Sequence, residues 1–208
     1  MYDISVIIVN WNTRDFLKNC LISLFGRAIS DNISFDIWVV DNASQDGSAD
    51  MVKRFFPQVN LIANPINLGY AAANNQAIRR STGRYVFLLN PDIIWQEGTL
   101  NDLVKFMDGF TQVAALGCKL LDPDGSLQYS CRSFPTPDCL VFEFLFLSRL
   151  FPKSKVFGKY RMSWWDYSQT KEVDQPMGSA LMLRRRATNE VGLLDEDFPI
   201  FFNDVDLC

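Results

Sequence analysis

The run Ile4-Ser5-Val6-Ile7-Ile8-Val9 closes on Asn10-Trp11-Asn12. It is β-branched and too apolar for a sheet wetted on one side, so it predicts a parallel strand covered on both faces. Working outward, Asn12 or Thr13 can cap a helix whose apolar residues Phe16, Leu17, Cys20, Leu21 and Leu24 recur at helical spacing. Phe35–Val40 reads as the next strand, ending at Asp41. Ser48 reads as the cap of a helix with Asp50 in its first turn, where the helix dipole favours negative charge. Val59–Ala63 reads as a short strand. Past Gly69, the Ala-rich segment Tyr70–Arg80 reads as a helix with Arg79 and Arg80 in its last turn and Gly83 as its stop. Tyr85–Leu89 is a buried strand that ends at Asn90-Pro91-Asp92. This alternation predicts an α/β fold: a Rossmann-like, mostly parallel sheet flanked by helices, with right-handed crossovers.

The second half changes character. Val113–Leu121 and Leu127–Arg132 flank Asp122-Pro123-Asp124-Gly125-Ser126, a turn sequence that predicts a hairpin and hence a small antiparallel element. From Ser133 to Gln175 aromatics crowd in, and Pro135, Pro137 and Pro152 interrupt the pattern. The expectation there is an excursion over a site, with one helix near Asp138–Leu150. Ala180–Leu183 returns to strand. With no repeat and no linker, 1–208 reads as a single domain. The chain stops at Cys208 just after an acidic cluster, which reads as a truncation with the turn Asn203 to Cys208 poorly anchored.

Composition narrows the chemistry. A chain of 208 residues can hold one domain with a full core. Its 48% hydrophobic and 21% charged residues are those of a folded protein. Twenty Lys and Arg against 24 Asp and Glu leave a net charge of −4, which argues against non-specific nucleic-acid binding. There is no histidine, which excludes Ser-His-Asp and Cys-His catalysis and His-ligated metals. Acid–base work therefore falls to carboxylates, Lys, Tyr or Cys. The five cysteines form no CxxC pair, so reduced thiols in a cytoplasmic setting are expected. The start lacks the zones of a signal peptide, and no apolar run reaches the ~20 residues of a membrane span. The protein is expected to be cytoplasmic, at most peripheral at the inner face of the membrane.

Ligands of open α/β sheets bind beyond the carboxyl ends of the strands. Here those ends carry Asn10-Trp11-Asn12, Asp41-Asn42 and Asn90-Pro91-Asp92. Neither a dinucleotide glycine fingerprint nor a Walker loop is present, so no backbone nest for phosphate is evident. A diphosphate bound by this acidic chain would need a hard divalent cation, Mg²⁺ or Mn²⁺, held by Asp92.

Val6–Asn12 and Val39–Ser48 resemble the opening of the family 2 glycosyltransferases of the GT-A fold. Asn67-Leu68-Gly69-Tyr70-Ala71-Ala72-Ala73-Asn74-Asn75, Leu89-Asn90-Pro91-Asp92 and Leu121–Ser126 continue the match. Met177-Gly178-Ser179-Ala180 and Phe201-Phe202-Asn203-Asp204-Val205-Asp206-Leu207 complete it. Each piece is weakly specific, but together they cover nearly the whole chain in order. The Asn-Trp-Asn start and the Asp-Gly-Ser turn look most like the rhamnosyltransferase branch.

The resemblance implies an inverting, metal-dependent transferase in cell-surface polysaccharide synthesis. It would move a sugar from a dTDP- or UDP-sugar to a hydroxyl of a glycan or lipid-linked acceptor. Residues 1–110 would bind the nucleotide-sugar and 111–208 would face the acceptor. Asp41 matches the carboxylate that accepts a hydrogen bond from the pyrimidine. Asp92 matches the last residue of the metal-binding Asp-x-Asp motif, whose first position is Asn90 here. Asn10, Gly69 and Gly178 fall at donor-side positions, Gly178 leaving room for the transferred sugar. Asp204 matches the catalytic base, with Asp206 as the fallback. Asn203 stands where the family usually has Glu, which removes one negative charge beside the base.

Two other classes compete. One is a nucleotide-sugar-binding module without turnover, suggested by Asn203 and the abrupt end. The other is a nucleotidyltransferase, disfavoured because no glycine-rich, Arg- and Lys-bearing loop follows the first strand. The aromatics Phe142, Phe144, Phe146, Phe151, Phe157, Trp164, Trp165 and Tyr167 read mainly as core, with sugar stacking or a membrane surface as the alternatives. Arg184-Arg185-Arg186 reads as three solvated arginines, with phosphate or lipid headgroups as the alternative.

Overall fold

Ile4–Asn10 forms β1, buried along almost its whole length. In the computed structural model, which describes residues 2–28, 33–198 and 203–208, it lies at the centre of a six-stranded sheet. Its neighbours are β2 (Phe35–Asp41) and β4 (Tyr85–Leu89), both parallel to it. β3 (Asn60–Ala63) extends the sheet beyond β2, also parallel. On the other side β10 (Ala180–Arg184) runs antiparallel to β4, and β5 (Ala115–Gly117) completes the order β3-β2-β1-β4-β10-β5. Because β1 is flanked by β2 and β4, the chain reverses its direction of winding there. In open α/β sheets ligands bind at such a reversal, beyond the carboxyl ends of the strands.

Helices cover the sheet as the apolar periodicity requires. α1 (Arg14–Ser23) buries Leu17, Cys20 and Leu21 and runs on into one wider helical turn, Leu24–Ala28. α2 (Ser48–Phe55) buries Met51 and Val52. α3 (Tyr70–Arg80) buries its alanine face. Two capping expectations need correcting. Thr13 makes no side-chain cap on α1, and Ser48 is the first residue of α2 while Asp46 accepts its N–H at 3.0 Å. Gly83 also does more than stop α3. A Cβ there would sit 2.5 Å from the backbone nitrogen of Ser5, so the residue lets that loop press against β1.

α4 (Leu100–Gly109) was not anticipated from the sequence. Its signal was present, since Thr99 and Asp102 form a capping box. Its C-terminal end explains the arginine triplet. Arg184 donates to the carbonyls of Met107 (2.7 Å), Phe110 (3.0 Å) and Val113 (2.9 Å). Arg185 donates to the carbonyls of Ile78 at 3.1 Å and of Gly83, closing the end of α3. Two of the three arginines are thus structural cations at helix C-termini, where the dipole favours them. Only Arg186, at the start of α7 (Arg185–Val191), is solvated, pairing with Glu190. Arg184→Ala is expected to destabilise the fold by about 2–4 kcal/mol, because it leaves partly buried carbonyls unpaired. A melting-temperature drop of roughly 5–15 °C, against almost none for Arg186→Ala, is the corresponding readout. Equal, small shifts for both would refute the capping role.

Two compact units are distinguishable: 1–116 with 178–207, and 117–177 with Cys208. β10 joins the first because it pairs with β4. So does α8 (Asn203–Leu207). Leu207 packs on the core cluster that includes Ile7, Leu88 and Leu181, and Asn203 is buried. The last turn is therefore anchored, contrary to expectation.

Within the second unit the anticipated hairpin is shorter than expected. Only β6 (Leu120–Leu121) and β7 (Leu127–Gln128) pair across the Asp-Pro-Asp-Gly-Ser turn. β8 (Cys131–Arg132) turns instead to β9 (Gln175–Pro176). The single helix expected near Asp138–Leu150 is two pieces, α5 (Pro137–Phe144) and α6 (Leu147–Leu150), broken where Phe146 takes a φ of 57°. Met162, Tyr167 and Cys131 form this unit's core, with Trp164 and Trp165 against it. Phe144, Phe146 and Phe151 are exposed, so the core reading fails for them.

Candidate active site

The strand register alone brings the first two site residues together. Asn10 stands opposite Asp41 at the paired ends of β1 and β2. The Asn10 amide donates to Asp41 Oδ1 at 3.0 Å and to Ser44 Oγ at 3.1 Å. Ser44 N–H donates to Asp41 Oδ2 at 3.1 Å. Ser44 Oγ also accepts the Asn12 N–H at 2.9 Å, tying the β1 loop to the β2 loop. Asp41 is thus a buried, preorganised carboxylate with one protein donor on each oxygen. Each oxygen keeps a second lone pair for a ligand. The backbone is strained alongside it, with Ala43 at φ 66°.

A second network holds Gly69. Asn42, buried at the end of β2, donates to Asn67 Oδ1 at 2.6 Å and to the Gly69 carbonyl at 3.2 Å. Its own oxygen accepts from Asn64 Nδ2 and Leu68 N–H, each at 3.1 Å. Gly69 adopts φ 82°, ψ 171°, a region essentially closed to other residues, and from it the chain enters α3. Asn42, Ser44 and Asn67 stand in the strand ends and motifs read from the sequence but were given no role of their own there. The visible signal was the clustering of Asn and Ser directly after strand ends, where short polar side chains bond to nearby backbone. Asn74 and Asn75 are buried and structural. Asn75 clamps Leu194 through paired bonds of 2.8 and 3.2 Å.

Across the sheet, Asn90 N–H donates to the Ser179 carbonyl at 2.8 Å, which sets Gly178 beside the end of β4. Gly178 N–H donates to Asp204 Oδ2 at 3.2 Å. Tyr70 Oη donates to the Gly178 carbonyl, also at 3.2 Å. Burial, with the Asp204 charge nearby, pushes the Tyr70 hydroxyl above its ordinary range and keeps it a donor. A Cβ on Gly178 would lie 3.7 Å from both Asp204 Cβ and Tyr70 Oη, an ordinary contact. Packing therefore does not demand glycine here. Asp204 is partly buried and Asp206 is exposed. Phe201 and Phe202 of the same motif lie outside the described residues.

Asp92 stands apart from these networks. It is exposed after β4 and takes no hydrogen bond among the described residues. Its field is felt by Cys20, whose thiol is pushed up to about 12 by burial first and by the Asp92 charge second. No group of three or more acidic, Cys or His residues among the described residues could cage a metal. A cation enclosed by protein alone does not fit. A hard cation taking one uncommitted carboxylate, with phosphate oxygens and water for the rest, fits Asp92 well.

Residues 5–190 match the family described as Glycosyl transferase family 2. An N-acetylglucosaminyl-diphospho-decaprenol L-rhamnosyltransferase of Mycobacterium tuberculosis (strain CDC 1551 / Oshkosh) is 28% identical over 97% of this chain and 68% of its own length. The mannosyltransferase PcManGT from Pyrobaculum calidifontis, solved with GDP-Man and Mn²⁺, superposes with a TM-score of 0.62. That likeness has 19% identity over 94% of this chain and 48% of the solved one. S. aureus TarS 1-349 in complex with UDP gives a TM-score of 0.64 at 16% identity, over 99% of this chain and 54% of that one. The chain spans about half the length of these two solved structures. The α/β sheet with its antiparallel β10 is the GT-A arrangement. Among the described residues no helix is long and apolar enough to cross a membrane. With the match running through β1, β2, β4 and β10, the chain belongs to glycosyl transferase family 2.

Proposed function

We propose that the chain transfers a sugar, rhamnose by its resemblance, from a dTDP- or UDP-sugar to a hydroxyl of a glycan or lipid-linked acceptor, inverting the anomeric centre. The observation that supports this reading is the Asp204 carboxylate held on Gly178 N–H, which precedes β10 at the end of the sheet where β2 finishes with Asp41 and β4 is followed by Asp92. Asp41 receives the base. Asp204 takes the acceptor hydroxyl's proton as that oxygen attacks in line, with no protein nucleophile. Gly178 leaves space for the sugar, and Asp92 would hold a divalent cation, which when bound neutralises the diphosphate charge. The Mycobacterium tuberculosis relative's name, with its diphospho-decaprenol, supports the lipid-linked acceptor.

The test is incubation with dTDP- and UDP-sugars and a hydroxyl acceptor, with detection of glycoside or of donor hydrolysis. Donor binding without either product would favour the binding module over the transferase. The cation has its own test. Calorimetry should show diphosphate binding weakened about tenfold or more both by EDTA and by Asp92→Ala, since charged interactions contribute on this scale. Equal affinity in all three conditions would remove Asp92 from this role.

A further inference from the structure

α5 buries Cys139 and packs Phe142 on Phe157, yet it is apolar on its outer side as well. Leu140, Val141 and Phe144 share one helical face by their spacing, and that face is solvent-exposed: Leu140 is 62% and Phe144 81% accessible. Its polar Glu143 instead bonds Arg161 at 2.7 Å. The exposed apolar surface continues through Phe146 (61%), Leu150 (68%) and Phe151. Such a contiguous patch marks an interaction surface.

Charge on the same segment identifies the partner. In a chain of net charge −4, residues 137–161 carry five Lys and Arg against two Asp and Glu. Both acids are engaged, Asp138 with Lys159 at 3.6 Å and Glu143 with Arg161. Arg149, Lys153 and Lys155 are exposed and form no ion pair among the described residues. Two of them lie over aromatic rings, Arg149 over Phe146 at 5.4 Å and Lys155 over Trp164 at 5.3 Å. Exposed apolar side chains interspersed along the segment with cations that form no ion pair among the described residues match the boundary between anionic headgroups and acyl chains.

We propose that the α5–α6 face docks this chain on an anionic lipid surface. Phe144, Leu150 and their neighbours enter the acyl boundary, while Arg149, Lys153 and Lys155 meet headgroup phosphates. The proposal deepens the lipid-linked-acceptor reading, yet its test is independent of that reading. Vesicles without donor or acceptor report docking alone, whereas sugar transfer to a soluble acceptor reports catalysis alone.

The experiment is co-sedimentation of the 208-residue chain with phosphatidylcholine vesicles, with and without 30% phosphatidylglycerol. Binding is expected on the anionic vesicles and is expected to fall steeply from about 0.1 to 0.5 M NaCl, as screening shortens the reach of the cations. Phe144→Glu with Leu150→Glu, and separately Lys153→Glu with Lys155→Glu, should each weaken binding about tenfold or more, since each basic residue contributes roughly fivefold near such a surface. These positions are exposed, so melting temperatures should hold. If a variant does melt early, the salt series on the unaltered chain still decides. Absent or salt-insensitive binding, or binding unchanged in both variants, overturns the proposal. So does a concentration-dependent dimer that Phe144→Glu dissolves while vesicles are ignored, because the occupant is then a second copy.

Discussion

Asp204→Asn is expected to cut turnover by roughly 10²–10⁴-fold while leaving donor affinity nearly unchanged. The substitution keeps the size of the side chain, and its remaining oxygen can still accept the Gly178 N–H now 3.2 Å away. What is lost is the negative charge, and with it the ability to take a proton. The local frame is tight: Gly178 is held by Asp204 on one side and by Tyr70 on the other. A fall in kcat without a rise in KM for the donor is therefore the signature of a base rather than of a binding residue. Asp206→Asn should do far less, because that carboxylate is exposed and the Gly178 N–H is held by Asp204 instead. Kinetics on the two variants side by side decide the matter. If Asp206→Asn abolishes transfer and Asp204→Asn retains it, Asp206 is the base and the assignment of the acidic cluster fails.

The parts of this molecule that were legible in the sequence are those where one local rule decides. β1, β2 and β4 are short apolar runs ended by polar residues, and the strand ends they fix carry the candidate site residues. Register then places Asn10 against Asp41, a step that pattern alone does not contain. What was not legible depended on contacts far apart in the chain. The arginine triplet read as solvated because nothing local reveals that Arg184 reaches carbonyls more than 70 residues away. Phe144, Phe146 and Phe151 read as core because aromatics in a long excursion usually are; here they are exposed, and the sequence is the same either way. The C-terminal turn read as loose because its anchor, Leu207 on the core that holds Ile7 and Leu181, is purely tertiary. α4 was the avoidable omission, since its capping box lies within four residues.

Asp41→Ala is expected to weaken UDP or dTDP binding by roughly 10–150-fold, the equivalent of losing about 1.5–3 kcal/mol of hydrogen bonding to a charged group. The carboxylate already accepts from Asn10 and from Ser44 N–H, one bond to each oxygen. It therefore has acceptor capacity left, and its burial means that a ligand N–H meets it with little competition from water. Uracil and thymine present a ring N3–H to such an acceptor; neutral adenine and cytosine have no ring N–H there. Guanine does carry a ring N–H, so chemistry alone separates UDP from ADP but not from GDP. The preference over GDP rests on the proposed dTDP- or UDP-sugar donor. Competition should therefore be run with UDP, dTDP, GDP and ADP. The expected order places both pyrimidine diphosphates first, with ADP last. Removing Asp41 should compress that order while leaving ADP almost unaffected. Because Asp41→Ala also frees Ser44 N–H, a melting curve must accompany the titration, and Asn12→Ala, which removes the acceptor of the Gln45 N–H in the same loop and leaves both bonds to Asp41 in place, serves as the control. A variant as stable as the parent that loses UDP but not ADP supports the assignment. If ADP competes as well as UDP against the unaltered chain, Asp41 does not read the base.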